Sequence, residues 1–250
     1  MRLYCFVLAF TVCASVIAQD SLQNAPMPAL PRPLPAGANP AAYPAGRFEW
    51  FERVQRNIDT GNAAATSCQL VFDGDSITEN WKNFGRQIWE ERYAKFNAVD
   101  FGIGGDRTQN LLWRLTHGQG EGMHPKLVVL MIGANNIRMH ADQIEEGVTA
   151  VVKAYRKCFP DAVILLQGIL PRNEKADDPL RATARKVNET IAKLDDGKQV
   201  IFIDFGSKFL QPDGSISRDI MPDFLHPSEK GYQIWADAIQ PIIDRYLSTK

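Results

Sequence analysis

Five short apolar runs, at 69–72, 97–101, 127–132, 163–168 and 200–204, restrict the possible folds of this chain more than any other feature. They are continuously apolar rather than alternating, the pattern of strands buried on both faces. Helical periodicity fills the gaps near 79–94, 107–117, 141–158 and 179–195, and a last helix is predicted over about 228–246. Strands alternating with helices build a parallel sheet covered on both sides. The expected fold class is therefore α/β, a three-layer α/β/α sandwich around a five-stranded parallel sheet. A chain of 250 residues that is 45% hydrophobic and 23% charged can bury such a core as one domain. Ahead of the first strand, 48–62 reads as an amphipathic helix with Phe48, Phe51, Val54 and Ile58 on one face.

The beginning of the chain reads differently. Arg2 is a basic start, 3–17 is mostly apolar, and Val16-Ile17-Ala18 before Gln19 has the form of a cleavage site. Residues 1–18 are thus expected to be a signal peptide, and the protein to be secreted or periplasmic. The apolar run is shorter than the roughly 20 residues that span a bilayer, so no stable membrane insertion is expected. Residues 19–47 form a Pro-rich arm, with proline at 26, 28, 31, 33, 35, 40 and 44, which favours extended chain used as a tether or a strap. The remaining domain is 48–250. Cleavage leaves Cys68 and Cys158, each just upstream of a strand; one disulfide or two free thiols both fit.

Charge excludes some partners. With a formal net charge of −1, electrostatic capture of nucleic acid is not expected. The four histidines and the cysteines show no cluster at metal-ligand spacing.

Ligands of such sheets bind beyond the carboxyl ends of the strands, and polar residues collect there. The first strand runs into Asp73-Gly74-Asp75-Ser76-Ile77-Thr78, where glycine permits a sharp turn and Ser76 stands at a strand-to-helix corner. A serine there can attack a carbonyl while neighbouring N–H groups bind the oxyanion, or it can simply cap the helix. Gly104-Gly105 follows the second strand and Gly133-Ala134-Asn135-Asn136 the third. Each can be a plain turn, or can aim an N–H donor into the crevice. Asp223 precedes His226 by three residues, a spacing that lets a carboxylate orient the imidazole.

Together these blocks resemble the SGNH (GDSL-like) hydrolases. Gly74-Asp75-Ser76-Ile77, the Gly105 segment, Gly133-Ala134-Asn135-Asn136 and Asp223-Phe224-Leu225-His226 match that family's four motifs. The stretches FGIGGDRTQNLLWRL, GILPR and FLHPSEKGY narrow the likeness to the catalytic subunits of intracellular platelet-activating-factor acetylhydrolase, over about 68–245. The signal sequence and the Pro-rich arm depart from that branch. The resemblance implies a flavodoxin-like SGNH hydrolase fold and a serine esterase with Ser76, His226 and Asp223 as its triad. It also implies an oxyanion hole from the amides of Ser76 and Gly105 and the side chain of Asn135, with no metal or organic cofactor needed. Ile77, Ala134 and Leu225 adjoin those residues and are expected to wall an acyl pocket sized for acetyl. The expected substrate is an O-acyl ester, small or on a glycan, with an acetylated carbohydrate placed ahead of a platelet-activating-factor-like lipid. Two rivals carry less weight: a Mg-dependent phosphatase using Asp73 as nucleophile, and a non-catalytic carbohydrate-binding module.

Overall fold

Strand β1 (Leu70–Gly74) is buried at every position and forms the seam of the sheet. On one side it pairs with β2 (Val99–Asp100), in the register Val71↔Val99 and Phe72↔Asp100. On the other it pairs with β3 (Leu127–Met131), from Leu70↔Leu127 to Gly74↔Met131. Outside β3 come β4 (Val163–Gln167) and β5 (Val200–Ile203), all parallel, in the order β2-β1-β3-β4-β5. This is the flavodoxin-like order expected, and its direction reverses between β1 and β3. A crevice opens where such an order reverses, beyond the strands' carboxyl ends. The computed structural model describes residues 34–247, so the expected signal peptide and the arm up to 33 lie outside the described residues.

The helices are α1 (Phe51–Ala64), α2 (Ser76–Glu79), α3 (Arg86–Arg92), α4 (Thr108–Leu115), α5 (Ala141–Cys158), α6 (Pro179–Ile191) and α7 (Glu229–Leu247). Right-handed crossovers place α2 and α3 on one face and α4, α5 and α6 on the other. In keeping with that, α4, α5 and α6 pack in succession, and α7 packs on α3 and β3. No described helix is long and apolar enough to cross a membrane.

Two expectations need correction, and one left open is decided. The helix expected over 79–94 is broken into α2, a 3-10 turn at Asn80–Lys82 and α3. Trp81 is fully buried among Phe72, Tyr93, Tyr232 and Trp235, and Gly85 lies so close to its ring that a side chain there would collide. Packing of that indole overrides helical continuity. The helix expected over 48–62 begins at Phe51; Phe48 opens a separate 3-10 turn and is 70% exposed. Of the two possibilities for the cysteines, free thiols are found: Cys68 is buried and Cys158 exposed.

The described end of the arm is a strap bolted to α4 and α5. Asn39 donates to the Gln143 carbonyl at 2.9 Å, and Ala41 is fully buried with its carbonyl accepting from Thr108 Oγ1 at 2.7 Å. Further along, Asn110 donates to the Ala45 carbonyl at 2.8 Å and the Ala45 N–H to the Gln109 carbonyl at 3.0 Å. Gly147 of α5 makes the approach possible, since a Cβ there would sit 2.5 Å from Thr108 Oγ1 and 2.8 Å from the Ala41 carbonyl.

Candidate active site

Asp75, not Ser76, caps α2: its Oδ1 accepts the Ile77 N–H at 3.0 Å. Ser76 is the first helical residue, and its hydroxyl is left to face the crevice. There Oγ lies 2.8 Å from His226 Nε2. His226 Nδ1 in turn lies 2.6 Å from Asp223 Oδ2. A hydroxyl, an imidazole and a carboxylate in this sequence can move a proton off the serine and stabilise the charge left on the ring.

The His226 loop closes on itself. Asp223 Oδ1 accepts the backbone N–H groups of Leu225 at 3.0 Å and His226 at 2.7 Å. Burial would raise the Asp223 pKa, but these bonds and the one from the imidazole outweigh it and hold the carboxyl below its ordinary value. Between the two residues, Phe224 adopts φ +60°, a left-handed conformation rare for a bulky residue. The Asn173 N–H on the Phe224 carbonyl, 2.8 Å, and the Arg218 guanidinium, 4.3 Å from the Phe224 ring centroid, hold it there.

Donors converge from the other side. Among the described residues neither the Ser76 nor the Gly105 N–H has an acceptor, while the Gly104 N–H is taken by Glu79 Oε2 at 2.9 Å. Gly105 has φ +78°, and a Cβ there would sit 2.6 Å from Trp50, so no larger residue fits. Asn135 Nδ2 donates to the Asp106 carbonyl at 2.9 Å and to Asp75 Oδ2 at 3.3 Å. Both of its protons are engaged, the second only weakly. Ile77 and Ala134 are buried in the hydrophobic core, and Leu225 is half-buried against it.

Beneath Ser76 lies a charged cluster that sequence reasoning missed. Arg114 is 1% exposed and binds Asp73 Oδ1 at 2.9 Å, Asp106 Oδ2 at 2.8 Å and the carbonyls of Phe101 and Gly74 at 3.2 and 3.3 Å. Tyr155 and Gln119 also hydrogen-bond Asp73. Burial works against the charge on Arg114, and the two carboxylates more than offset it, raising its pKa. One arginine thus ties the ends of β1 and β2 to the loop that carries Gly105. Its signal in the sequence is a lone charge inside the run Leu111-Leu112-Trp113-Arg114-Leu115. The same contacts rule Asp73 out as a phosphatase nucleophile, because it is fully buried and its oxygens are saturated.

Two cavities adjoin these groups. One, about 230 Å³, lies against Phe84, Pro222, Asp223, His226 and Pro227. The other, about 380 Å³, lies against Gly105 and Asn135.

The family model for GDSL-like lipases/acylhydrolases matches residues 72–234. The chain belongs to that family. It is 35% identical over 219 residues to platelet-activating factor acetylhydrolase IB subunit alpha1 of Rattus norvegicus, covering 85% of this chain and 92% of the relative. A GDSL-like lipase from Bacteroides thetaiotaomicron shares the fold, with TM-score 0.64 at 18% identity over 78% of this chain and 98% of that one. So does an acetyl xylan esterase, with TM-score 0.60 at 23% identity over 70% and 99%. This GDSL-family acylhydrolase is a carboxylic ester hydrolase.

Proposed function

We propose that this acylhydrolase is an exported serine esterase that removes acetyl groups from oxygen, with acetylated carbohydrate as its substrate. The observation that carries the reading is the run of contacts from Ser76 Oγ through His226 to Asp223, 2.8 and 2.6 Å, at the reversal point of the sheet. His226 takes the Ser76 proton as Oγ attacks the ester carbonyl, then returns it to the leaving alcohol. Water repeats the sequence on the acetyl-serine and releases acetate. The N–H groups of Ser76 and Gly105, which have no acceptor among the described residues, hold the oxyanion. Asn135 joins them by giving up its 3.3 Å contact with Asp75 and keeping the shorter bond to the Asp106 carbonyl. Each such donor is worth about 3–4 kcal/mol in the transition state.

The acetyl preference rests on Ile77, Ala134 and Leu225, which adjoin Ser76, Asn135 and His226 in the chain and pack in or against the core, and on relatives named as acetylhydrolases. Export rests on the pattern of residues 1–18. One observation favours a lipid ester instead: the cavity beside His226 is bounded by Phe84, Pro222 and Pro227, a surface that would take alkyl chain.

Acetate release from acetylated xylo-oligosaccharides and from an acetylated alkyl glycerolipid, with wild type and Ser76→Ala, tests the reading. Ser76→Ala is expected to lower kcat by about 10⁶-fold with an unchanged melting temperature. Near-normal turnover by that variant would remove Ser76 from the mechanism, and release from the lipid alone would reverse the choice of substrate.

A further inference from the structure

The cavity beside Gly105 and Asn135 carries charge that the proposed hydrolysis does not use. Arg47, Arg107, Gln109 and Asn110 complete its lining, so two arginines and no acidic residue border about 380 Å³ of space. Arg47 is delivered by the strap. Its guanidinium carbon lies 3.3 Å from the centroid of the Trp50 ring, a stacking that fixes the plane of the group. Nε and Nη2 bind Glu49 at 3.1 and 2.9 Å, while Nη1 reaches the Gly105 carbonyl at 3.3 Å. The Glu49 side chain is 62% exposed, so this pair is a weak surface contact that neutralises Arg47 only in part. Arg107 has no side-chain ion pair among the described residues; its backbone N–H is held by Asn110 Oδ1 at 3.0 Å.

Gly105 links this cavity to the chemistry, since its N–H is free for the oxyanion and its carbonyl touches Arg47. Resting on the esterase reading above, we infer that the cavity is an anion subsite. It reads a carboxylate or phosphate that the substrate carries a few atoms from the ester attacked by Ser76. An O-acetylated uronoside and an acetylated glycerol phosphate both present that arrangement; an acetylated neutral sugar does not. Arg107, with no ion pair among the described residues, suits such an anion through parallel, charge-assisted donors, and Arg47, whose Nε and Nη2 are held by Glu49, adds positive charge from a separate segment.

The test compares kcat/KM within two matched pairs, methyl O-acetylglucuronoside against methyl O-acetylglucoside and acetylglycerol phosphate against acetylglycerol, with p-nitrophenyl acetate as a neutral reference. The anionic member of at least one pair is expected to be favoured about tenfold, equivalent to about 1.4 kcal/mol. The favoured pair tells carboxylate from phosphate. That ratio should shrink with added salt, fall towards one in Arg107→Gln, invert in Arg107→Glu and survive in Arg107→Lys. Equal rates within both pairs, from an enzyme active on p-nitrophenyl acetate, overturn the subsite and leave the esterase reading standing. No hydrolysis of any ester overturns the esterase reading and with it the assignment of the anion to a substrate. A second measurement does not depend on turnover: calorimetric binding of glucuronate and glycerol phosphate to Ser76→Ala, with and without Arg107→Gln. Binding that weakens with salt and with the second substitution supports the subsite, and absence of binding by both anions overturns it.

Discussion

Ser76 stands at the end of a strand buried at all five positions, above an arginine that binds two carboxylates and two backbone carbonyls. His226, 2.8 Å away, stands on a surface loop whose Asp223 side chain is 56% exposed. The serine side is positioned from below, by groups brought together from 41 residues apart in the sequence. The histidine side is positioned mainly by local contacts, one carboxylate that accepts two N–H groups from the next three residues and one left-handed phenylalanine, with a single backbone bond from Asn173 reaching it from afar. Buried charge on one side therefore couples the position of Ser76 to the stability of the whole sheet. On the other side, orientation of the imidazole is nearly independent of it.

The sharpest way to break this contrast is to weaken each support and read activity and stability together. Asp223→Asn removes the negative charge that fixes the tautomer of the imidazole. In a triad with a buried carboxylate the same change lowers kcat by about 10⁴. At a position as open as Asp223, water can take part of the role, so the expected loss is somewhat below 10⁴-fold with almost no change in melting temperature. A melting temperature that falls with the activity would show the loop to be part of the core. Arg114→Met is expected to do the reverse. It strands Asp73 and Asp106 in a dry interior, a loss of about 3–5 kcal/mol, and activity falls because the Gly105 loop is no longer tied to β1. Urea unfolding monitored by tryptophan fluorescence measures it; an unchanged midpoint would mean that the cluster bears no weight.

The contrast also governs what could be read in the sequence. All five strands were legible because each is a short apolar run; predicted and observed ends differ by at most two residues, as at 97–101 against Val99–Asp100. The crevice residues were legible because polar groups after parallel strands share one edge. Asp223 and His226 were legible because their bond spans three residues. The Arg114 cluster was not, since periodicity cannot show that a charge on α4 meets Asp73 on β1. Nor could it show that Phe224 adopts φ +60°, or that the strap carries Arg47 to the edge of the crevice. The break after Trp81 was hidden for the same reason, because its cause is an aromatic cluster drawn from α3, α7 and β1.

Acid should separate the two sides in sign. Burial pushes the Asp75 carboxyl up to about 7, against the Ile77 N–H bond that lowers it. Unfolded, it titrates near about 3.9. Between those values the folded chain holds a proton that the unfolded chain has lost, so this residue's contribution falls as pH rises from about 4 to 7. Asp223 is shifted the other way, and its contribution is present above its unfolded value and lost as pH falls below it. Wild type should therefore show a higher urea midpoint at pH 5.5 than at pH 8. Asp75→Asn, which still caps α2, should flatten part of that slope; Asp100, raised to about 7 by burial, and Asp106, raised to about 6, contribute to the remainder. A midpoint that rises between pH 5.5 and 8 would contradict the assignment.

The smallest effect expected lies where the two sides meet, at the acyl group. Ile77 is 2% exposed and Ala134 5%, so both are fixed parts of the core beside Ser76 and Asn135. Leu225 is different: it is half-buried and rides on the His226 loop. Leu225 packs on the core from outside it, so of the three proposed wall residues it is the one whose trimming disturbs the fold least. Forcing extra methylenes against a packed wall costs about 1–3 kcal/mol, roughly 5- to 150-fold in rate. Wild type should accordingly favour acetyl over butyryl p-nitrophenyl esters by a factor in that range. Leu225→Ala should recover most of the loss on butyrate, keep the rate on acetate within a few-fold and leave the melting temperature almost unchanged. Ile77→Ala, cut from the core instead, should cost about 2–5 kcal/mol of stability. Octanoate hydrolysed by wild type as fast as acetate would show that Leu225 turns away from the acyl group and that the loop sets no limit on chain length.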